Sequence, residues 1–189
     1  MAMKYTWKDT SQYIELYSTS PDYGSTGTHS VSSVSAVIKD NLIESVFDFG
    51  CGTNYSLIKG LKELHPNTKF FGYDPAILNY QNNEFVSNEI DENLKVDMVV
   101  STDCIEHIPE NELPQCWKIL RDLQPKIIFL VICCRIANKI LPDGTNAHKS
   151  VKSPLEWKSI VQSNFLDYRI MDFNSSANET YCTIILINN

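Results

Sequence analysis

Two kinds of hydrophobic pattern run along the chain. From residue 45 onward, short consecutive apolar runs alternate with stretches whose apolar residues recur every three to four positions. These are the periods of buried strands and of one-sided helices. Residues 45–49, 69–73, 84–87, 96–101 and 126–133 read as strands, and 55–64, 110–123 and 154–165 as helices. Leu57, Ile58, Leu61 and Leu64 form the core stripe of the first helix; Leu113, Trp117, Leu120 and Leu123 form that of the second. The run 126–133 is apolar throughout, which suits the centre of a sheet covered on both faces. Two final strands, 168–173 and 181–187, flank a polar connection suited to a hairpin.

The first 43 residues are different. A helix over 7–17 places Tyr13, Ile14 and Tyr17 on one face, and a second over 29–40 carries Val31, Val34, Val37 and Ile38. Between them lies a Ser-, Thr-, Gly- and Pro-rich loop. The pattern predicts an α/β three-layer Rossmann-like sandwich: a mostly parallel sheet with a C-terminal hairpin inserting one antiparallel strand. Residues 44–189 would form this domain, and 1–43 an N-terminal helical extension whose glycines and hydroxyls suit a mobile lid.

Composition narrows the class. The chain has 189 residues with net charge −7, so it is one domain with room for a core and a poor general binder of duplex nucleic acid. The longest apolar run, 127–134, is well short of the roughly 20 residues a membrane helix needs. Six cysteines without a C-x-x-C, and no hydrophobic signal region at the start, point to free thiols in the cytoplasm. Against the acidic balance, the stretch 135–158 carries Arg135, Lys139, Lys149, Lys152 and Lys158 opposite only Asp143 and Glu156. It reads either as solvated loop or as a site meeting an anionic acceptor.

Candidate chemistry gathers where strands end. Asp48-Phe49-Gly50-Cys51-Gly52-Thr53-Asn54 closes the first strand and opens a helix, the place where doubly wound sheets bind ligands. Gly50 and Gly52 let the backbone turn tightly and approach a ligand. Asp48 can hold the loop or meet a ligand ammonium. The second strand ends in Asp74, 24 residues beyond Gly50, where an acid can accept from both hydroxyls of a ribose. Asp103 ends the fourth. Asn54, at the end of this turn, tolerates left-handed angles better than most residues. A dinucleotide fold is disfavoured, because G-x-G-x-x-G spacing is missing.

With these three strand ends in order, the chain resembles the class I S-adenosylmethionine-dependent methyltransferases. The resemblance spans about residues 44–189. The family's glycine motif falls on Asp48-Phe-Gly-Cys-Gly-Thr, its ribose acid on Asp74, and its D-x-x-E-H motif on Asp103-Cys-Ile-Glu106-His107. It implies S-adenosylmethionine as cofactor and S-adenosylhomocysteine as product. Asp48, Gly50, Cys51, Gly52, Asn54, Asp74 with its neighbour Pro75, Asn88, Asp103 and Ile105 would then be cofactor contacts, and Asn88, Glu89 and Asp91 candidates for the adenine. A small-molecule or partner-presented acceptor is expected. The fold also hosts enzymes that cleave or decarboxylate the same cofactor, and an inert cofactor-binding partner subunit is a further alternative.

Acceptor chemistry has two histidine candidates. Glu106, three residues after Asp103, has capping-box spacing, and His107 beside it is either part of that turn or a general base. His148 closes the loop 141–148, with Lys149 and Lys152 able to meet an acidic acceptor. His29 and His65 read as structural. No compact His/carboxylate cluster stands out in the linear order, so no metal is expected. The aromatic N-terminal helix would cover either the core or a second subunit, which leaves a homo-oligomer open.

Overall fold

A computed structural model describes residues 2–20, 23–78 and 85–189. The strands are β1 (Ala2–Met3), β2 (Ser45–Phe49), β3 (Lys69–Tyr73), β4 (Val86–Ser87), β5 (Ile90–Asp91), β6 (Met98–Thr102), β7 (Ile127–Cys133), β8 (Tyr168–Ser175) and β9 (Tyr181–Asn188). The helices are α1 (Thr10–Thr19), α2 (Val31–Asp40), α3 (Ser56–Leu64), α4 (Leu113–Asp122) and α5 (Pro154–Asn164). The expected strand over 84–87 is Val86–Ser87, and Glu84 lies outside the described residues. Among the described residues, no helix is long and apolar enough to cross a membrane.

Seven strands form one sheet in the order β4-β3-β2-β6-β7-β9-β8. The first five are mutually parallel, and β9 runs antiparallel to both β7 and β8. The chain passes from β2 to β3 on one side and returns to β6 on the other. A crevice therefore opens at the carboxyl ends of β2 and β6, where the strand order reverses.

Side-chain alternation sorts the core into two layers. Phe47, Phe49, Ile128, Leu130 and Ile132 face Trp117 and Leu120 of α4 and Trp157 and Val161 of α5. Val46, Met98, Val100, Ile127 and Phe129 face Val34 and Ile38 of α2 and Leu57, Ile58 and Leu61 of α3. The apolar run 127–133 thus feeds both layers. Leu64 departs from the expected stripe and is exposed, because it ends α3 where the chain turns into His65 and Pro66. The Pro154 helix starts with a complete capping box: Ser153 Oγ accepts from the Glu156 amide, and the Glu156 carboxylate accepts from the Ser153 amide.

The extension packs against this frame. α2 is part of one core layer. β1 pairs with β5, Ala2 opposite Asp91 and Met3 opposite Ile90; strands of two residues carry no periodicity a sequence could reveal. Trp7 is buried, edge-on to Phe49, and its indole N–H donates to the Tyr73 hydroxyl at 2.8 Å. Leu16 of α1 packs on Leu141 and Ala147 from the long connection after β7. The aromatic face of α1 therefore covers its own domain.

Candidate active site

A cavity of about 430 Å³ lies over the carboxyl ends of β2, β3, β6 and β7. Its floor includes Asp48, Gly50, Cys51, Gly52, Asp74, Pro75, Thr102, Asp103 and Cys104. Tyr13 and Tyr17 of α1, with Tyr23, Gly24 and Thr26, make the roof. His107 and His148 stand in one wall with Arg135 and Lys139.

Gly50 and Gly52 both have positive φ, +80° and +64°. The Gly50 and Cys51 amides donate to the Tyr73 carbonyl at 2.7 and 3.1 Å, which ties the turn to β3. A Cβ on Gly50 would lie 2.1 Å from Cys104 Sγ, and one on Gly52 would lie 2.7 Å from the Gly24 carbonyl oxygen. The glycines are therefore required by sulfur beneath and roof above. The left-handed residue opening α3 is Tyr55, at φ +34°, and Asn54 has no positive φ. The tolerance expected of Asn54 is not used, because the strain falls one residue later.

Three acids sit along this floor, Asp48 and Asp74 buried and Asp103 half-buried. Asp48 is 2 % exposed and its Oδ1 has no hydrogen-bond partner. Burial, with Asp74 nearby, pushes its carboxyl up to about 7. Asp74 Oδ2 accepts from the Gly52 amide and the Tyr17 hydroxyl, each at 3.1 Å, while Oδ1 accepts from the Ala76 amide at 2.9 Å. Burial still raises its carboxyl above the ordinary range, against the pull of these donors. Asp103 adopts φ +49°. Burial raises its carboxyl too, opposed by a hydrogen bond to Thr26 and by the charges of His148, His29 and Arg135.

Behind Asp103, a short 3-10 turn over Ile105–His107 carries a second group. Glu106 is fully buried, and neither carboxylate oxygen has a hydrogen-bond partner. It does not cap anything: no side-chain capping bond starts this turn, so the capping-box reading of Asp103 and Glu106 is corrected. Its carbonyl instead accepts from the Lys149 and Ser150 amides at 2.8 and 2.9 Å, which brings the loop after β7 alongside.

That loop delivers His148 to His107, their ring centroids 4.7 Å apart. His107 Nδ1 is 2.9 Å from both the Ala147 carbonyl and the Tyr13 hydroxyl. Burial and the neighbouring His148 lower its pKa to about 4, so the ring is neutral at pH 7. His148 Nδ1 is 2.6 Å from the Arg135 carbonyl, and its Nε2 is 4.0 Å from Glu106 Oε1. One ligand atom from each of Glu106, His107 and His148 lies within 4.8 Å of the others. The expectation of no compact His/carboxylate cluster is thus overturned: residues forty positions apart meet through backbone pairing that no spacing rule shows.

Other expected residues are placed elsewhere. Asn54, Asn88 and Ile105 do not line the cavity. The Asn88 side-chain amide donates to the Ile77 carbonyl at 3.1 Å, and Ile105 is fully buried in the core. Lys149 pairs with Asp9 at 3.5 Å and Lys152 with Glu110 at 2.5 Å. Both are engaged within the chain rather than offered to an anionic acceptor. The basic groups that do reach the cavity are Arg135 and Lys139. Tyr13 and Tyr17, which the sequence places on one face of a helix without assigning them to the site, line the cavity, and their i, i+4 pairing of hydroxylated rings was the signal for a roof.

No protein-family model and no curated protein matches the chain. Solved structures do. Magnesium protoporphyrin IX methyltransferase from Synechocystis PCC 6803, with bound SAM, aligns at TM-score 0.64 and 18 % identity over 99 % of this chain and all of that one. The fold is that of the class I methyltransferases. The Burkholderia thailandensis 1,6-didemethyltoxoflavin-N1-methyltransferase, bound to 1,6-didemethyltoxoflavin and S-adenosylhomocysteine, aligns at TM-score 0.66, with 12 % identity over 95 % of this chain and 87 % of that one. A plantazolicin methyltransferase in complex with a monoazolic desmethylPZN analog and SAH aligns at 0.63, with 13 % identity over 94 % and 90 %. The crevice of this methyltransferase fold is where the cavity lies.

Proposed function

We propose that the protein transfers the methyl group of S-adenosylmethionine to a small-molecule acceptor. The observation that carries this is the convergence of Asp48, the Gly50–Gly52 turn, Asp74 and Asp103 on one roofed cavity at the strand-order reversal. The residues fit that cofactor. Asp48 Oδ1 is a buried acceptor without a partner, which an ammonium would satisfy. Gly50 and Gly52 line the cavity with backbone alone, and Asp74 presents a carboxylate to a ribose.

When bound, S-adenosylmethionine supplies an electrophilic methyl on a sulfonium. The chain's own contribution is enclosure and alignment. Tyr13, Tyr17 and Tyr23 roof the cavity and exclude water, and proximity accounts for much of the rate in such a displacement. His107 is neutral, and its Nδ1 is engaged by the Ala147 carbonyl. The ring is therefore available at Nε2 to take a proton from an acceptor. Arg135 and Lys139 give the wall a basic character that suits an acceptor bearing an anionic group. All six cysteines are unpaired, which supports a reducing cytoplasmic setting.

Incubating the protein with S-adenosylmethionine, with and without a small-metabolite extract, tests this by mass spectrometry of the nucleoside products. S-adenosylhomocysteine formed only with extract is expected. Methylthioadenosine formed without extract would replace the reading with cofactor cleavage, and bound cofactor with no product would replace it with an inert module. Asp74→Ala is expected to weaken cofactor binding by more than about 1.5 kcal/mol, through loss of charge-assisted hydrogen bonds. Calorimetry showing unchanged affinity in a folded variant would refute the assignment. Tyr17→Phe is expected to act oppositely, tightening binding about two- to tenfold, because a ribose would no longer compete with the Tyr17 hydroxyl for Asp74. Equal or weaker binding in the same titration would count against that competition.

A further inference from the structure

We propose that Glu106, His107 and His148 form a site for a divalent first-row transition-metal ion in the wall of the cavity. Their ligand atoms already lie within 4.8 Å of one another. A metal at about 2.0–2.2 Å from each would draw them to roughly 3.3 Å apart, a closure that side-chain torsions can supply.

Two independent features support a ligand rather than chance crowding. The first is Glu106, which is completely buried with both carboxylate oxygens unpartnered. Polar groups in protein interiors are nearly always hydrogen-bonded, and a carboxylate left alone there is strongly disfavoured. A cation between it and the two rings would relieve that.

The second is the orientation of the rings. His148 Nδ1 lies 2.6 Å from the Arg135 carbonyl, and His107 Nδ1 lies 2.9 Å from the Ala147 carbonyl. A ring nitrogen facing a carbonyl carries the proton, so in both rings Nδ1 is the donor and Nε2 holds the free lone pair; a metal would take up that lone pair of His107, so His107 is a proton acceptor only in the metal-free protein. Fixing the outer nitrogen on a backbone carbonyl is how metal-bound histidines are held in the ligating tautomer. The same arrangement places His148 Nε2 4.0 Å from Glu106 Oε1.

Two imidazoles and one carboxylate suit zinc, iron or cobalt better than magnesium or calcium, which prefer all-oxygen sites. Three protein ligands leave positions open, and both histidines line the cavity. The open side would therefore take an oxygen donor: water, or a hydroxyl of a bound small molecule.

Titration of the metal-stripped protein with Co²⁺ tests this without any cofactor or turnover. One saturable equivalent is expected, with visible ligand-field absorption and no thiolate-to-cobalt charge transfer, since Cys104 and Cys133 also line the cavity. Glu106→Gln and His148→Ala should each weaken Co²⁺ binding by more than about tenfold, because even outer partners of metal ligands change affinity about 10–100-fold. Glu106→Gln keeps the shape and replaces the ligating carboxylate with an amide, so its urea midpoint should stay close to that of the wild type while metal binding falls. No saturable binding, a thiolate band, or wild-type affinity in both variants would overturn the site.

Discussion

Gly50→Ala is expected to lose on the order of 4 kcal/mol of folding stability, enough to unfold much of a marginally stable population. Two effects add. A side chain at φ +80° is strained by about 1–2 kcal/mol, and overpacking a filled interior costs about 1–3 kcal/mol. The new Cβ would stand 2.1 Å from Cys104 Sγ and 2.6 Å from Cys104 Cβ. The Gly50 amide is held by the Tyr73 carbonyl at 2.7 Å, so the turn has little room to retreat. Urea melts check the number. The double variant Gly50→Ala/Cys104→Ala isolates the sulfur: its removal should restore part of the stability and leave the backbone strain and the 2.6 Å approach to the Cβ of residue 104. A double variant no more stable than Gly50→Ala would show that the sulfur contact is not the obstacle.

Asp48→Asn is expected to stabilise the ligand-free protein at alkaline pH, on the order of 4 kcal/mol, while weakening binding of a cationic ligand. The folded carboxyl is raised to about 7 from an ordinary value of 3.8. Between about pH 4 and pH 7 the folded protein therefore holds a proton that the unfolded chain has released. Raising pH through that window costs stability at about 1.4 kcal/mol per pH unit. Asparagine does not ionise, so its advantage should be absent near pH 4, grow across the window and level off above pH 7. Thermal melts of both proteins across this range give the curve. A flat difference would mean that Asp48 is ionised and satisfied by a partner at all these pH values. A residue that destabilises the empty protein yet suits a cation is the trade expected of a binding site.

The sheet and its two core layers are legible in the pattern because periodicity reports burial directly. The run 127–133 could only belong in the middle, and Trp117 and Leu120 fall on one face of α4 at helical spacing. Asp48, Gly50, Asp74 and Asp103 were readable for a related reason. Strand ends line up on one edge of a parallel sheet, so residues far apart in sequence gain a common location once the strands are assigned. What was hidden depended on irregular backbone. The meeting of Glu106 with His148 rests on two amide-to-carbonyl bonds between loops. The pairing of Lys149 with Asp9 and the bond from Trp7 to Tyr73 join segments whose approach has no period. Asn88 was placed correctly near a strand end, yet its amide turns to the Ile77 carbonyl, a choice of torsion that sequence does not encode.

The roof has a mechanical character that follows from how it is fastened. Upstream, Ala2 and Met3 are stitched to β5 and the Trp7 ring is clamped beneath Tyr73; downstream, Val34 and Ile38 root α2 in the sheet. Among the described residues, the cover is thus a strap pinned at both ends. We propose that a ligand enters by outward bowing of this strap between its two pins. Polar contacts that such bowing would break include Tyr17 with Asp74, Tyr13 with the Ala147 carbonyl, Lys139 with Ser20, Lys149 with Asp9 and the Asp143 amide with Gln12. If the strap opens in this way, the pace of entry and exit would follow the breaking of those polar contacts, and its two pins would return it to register on closing.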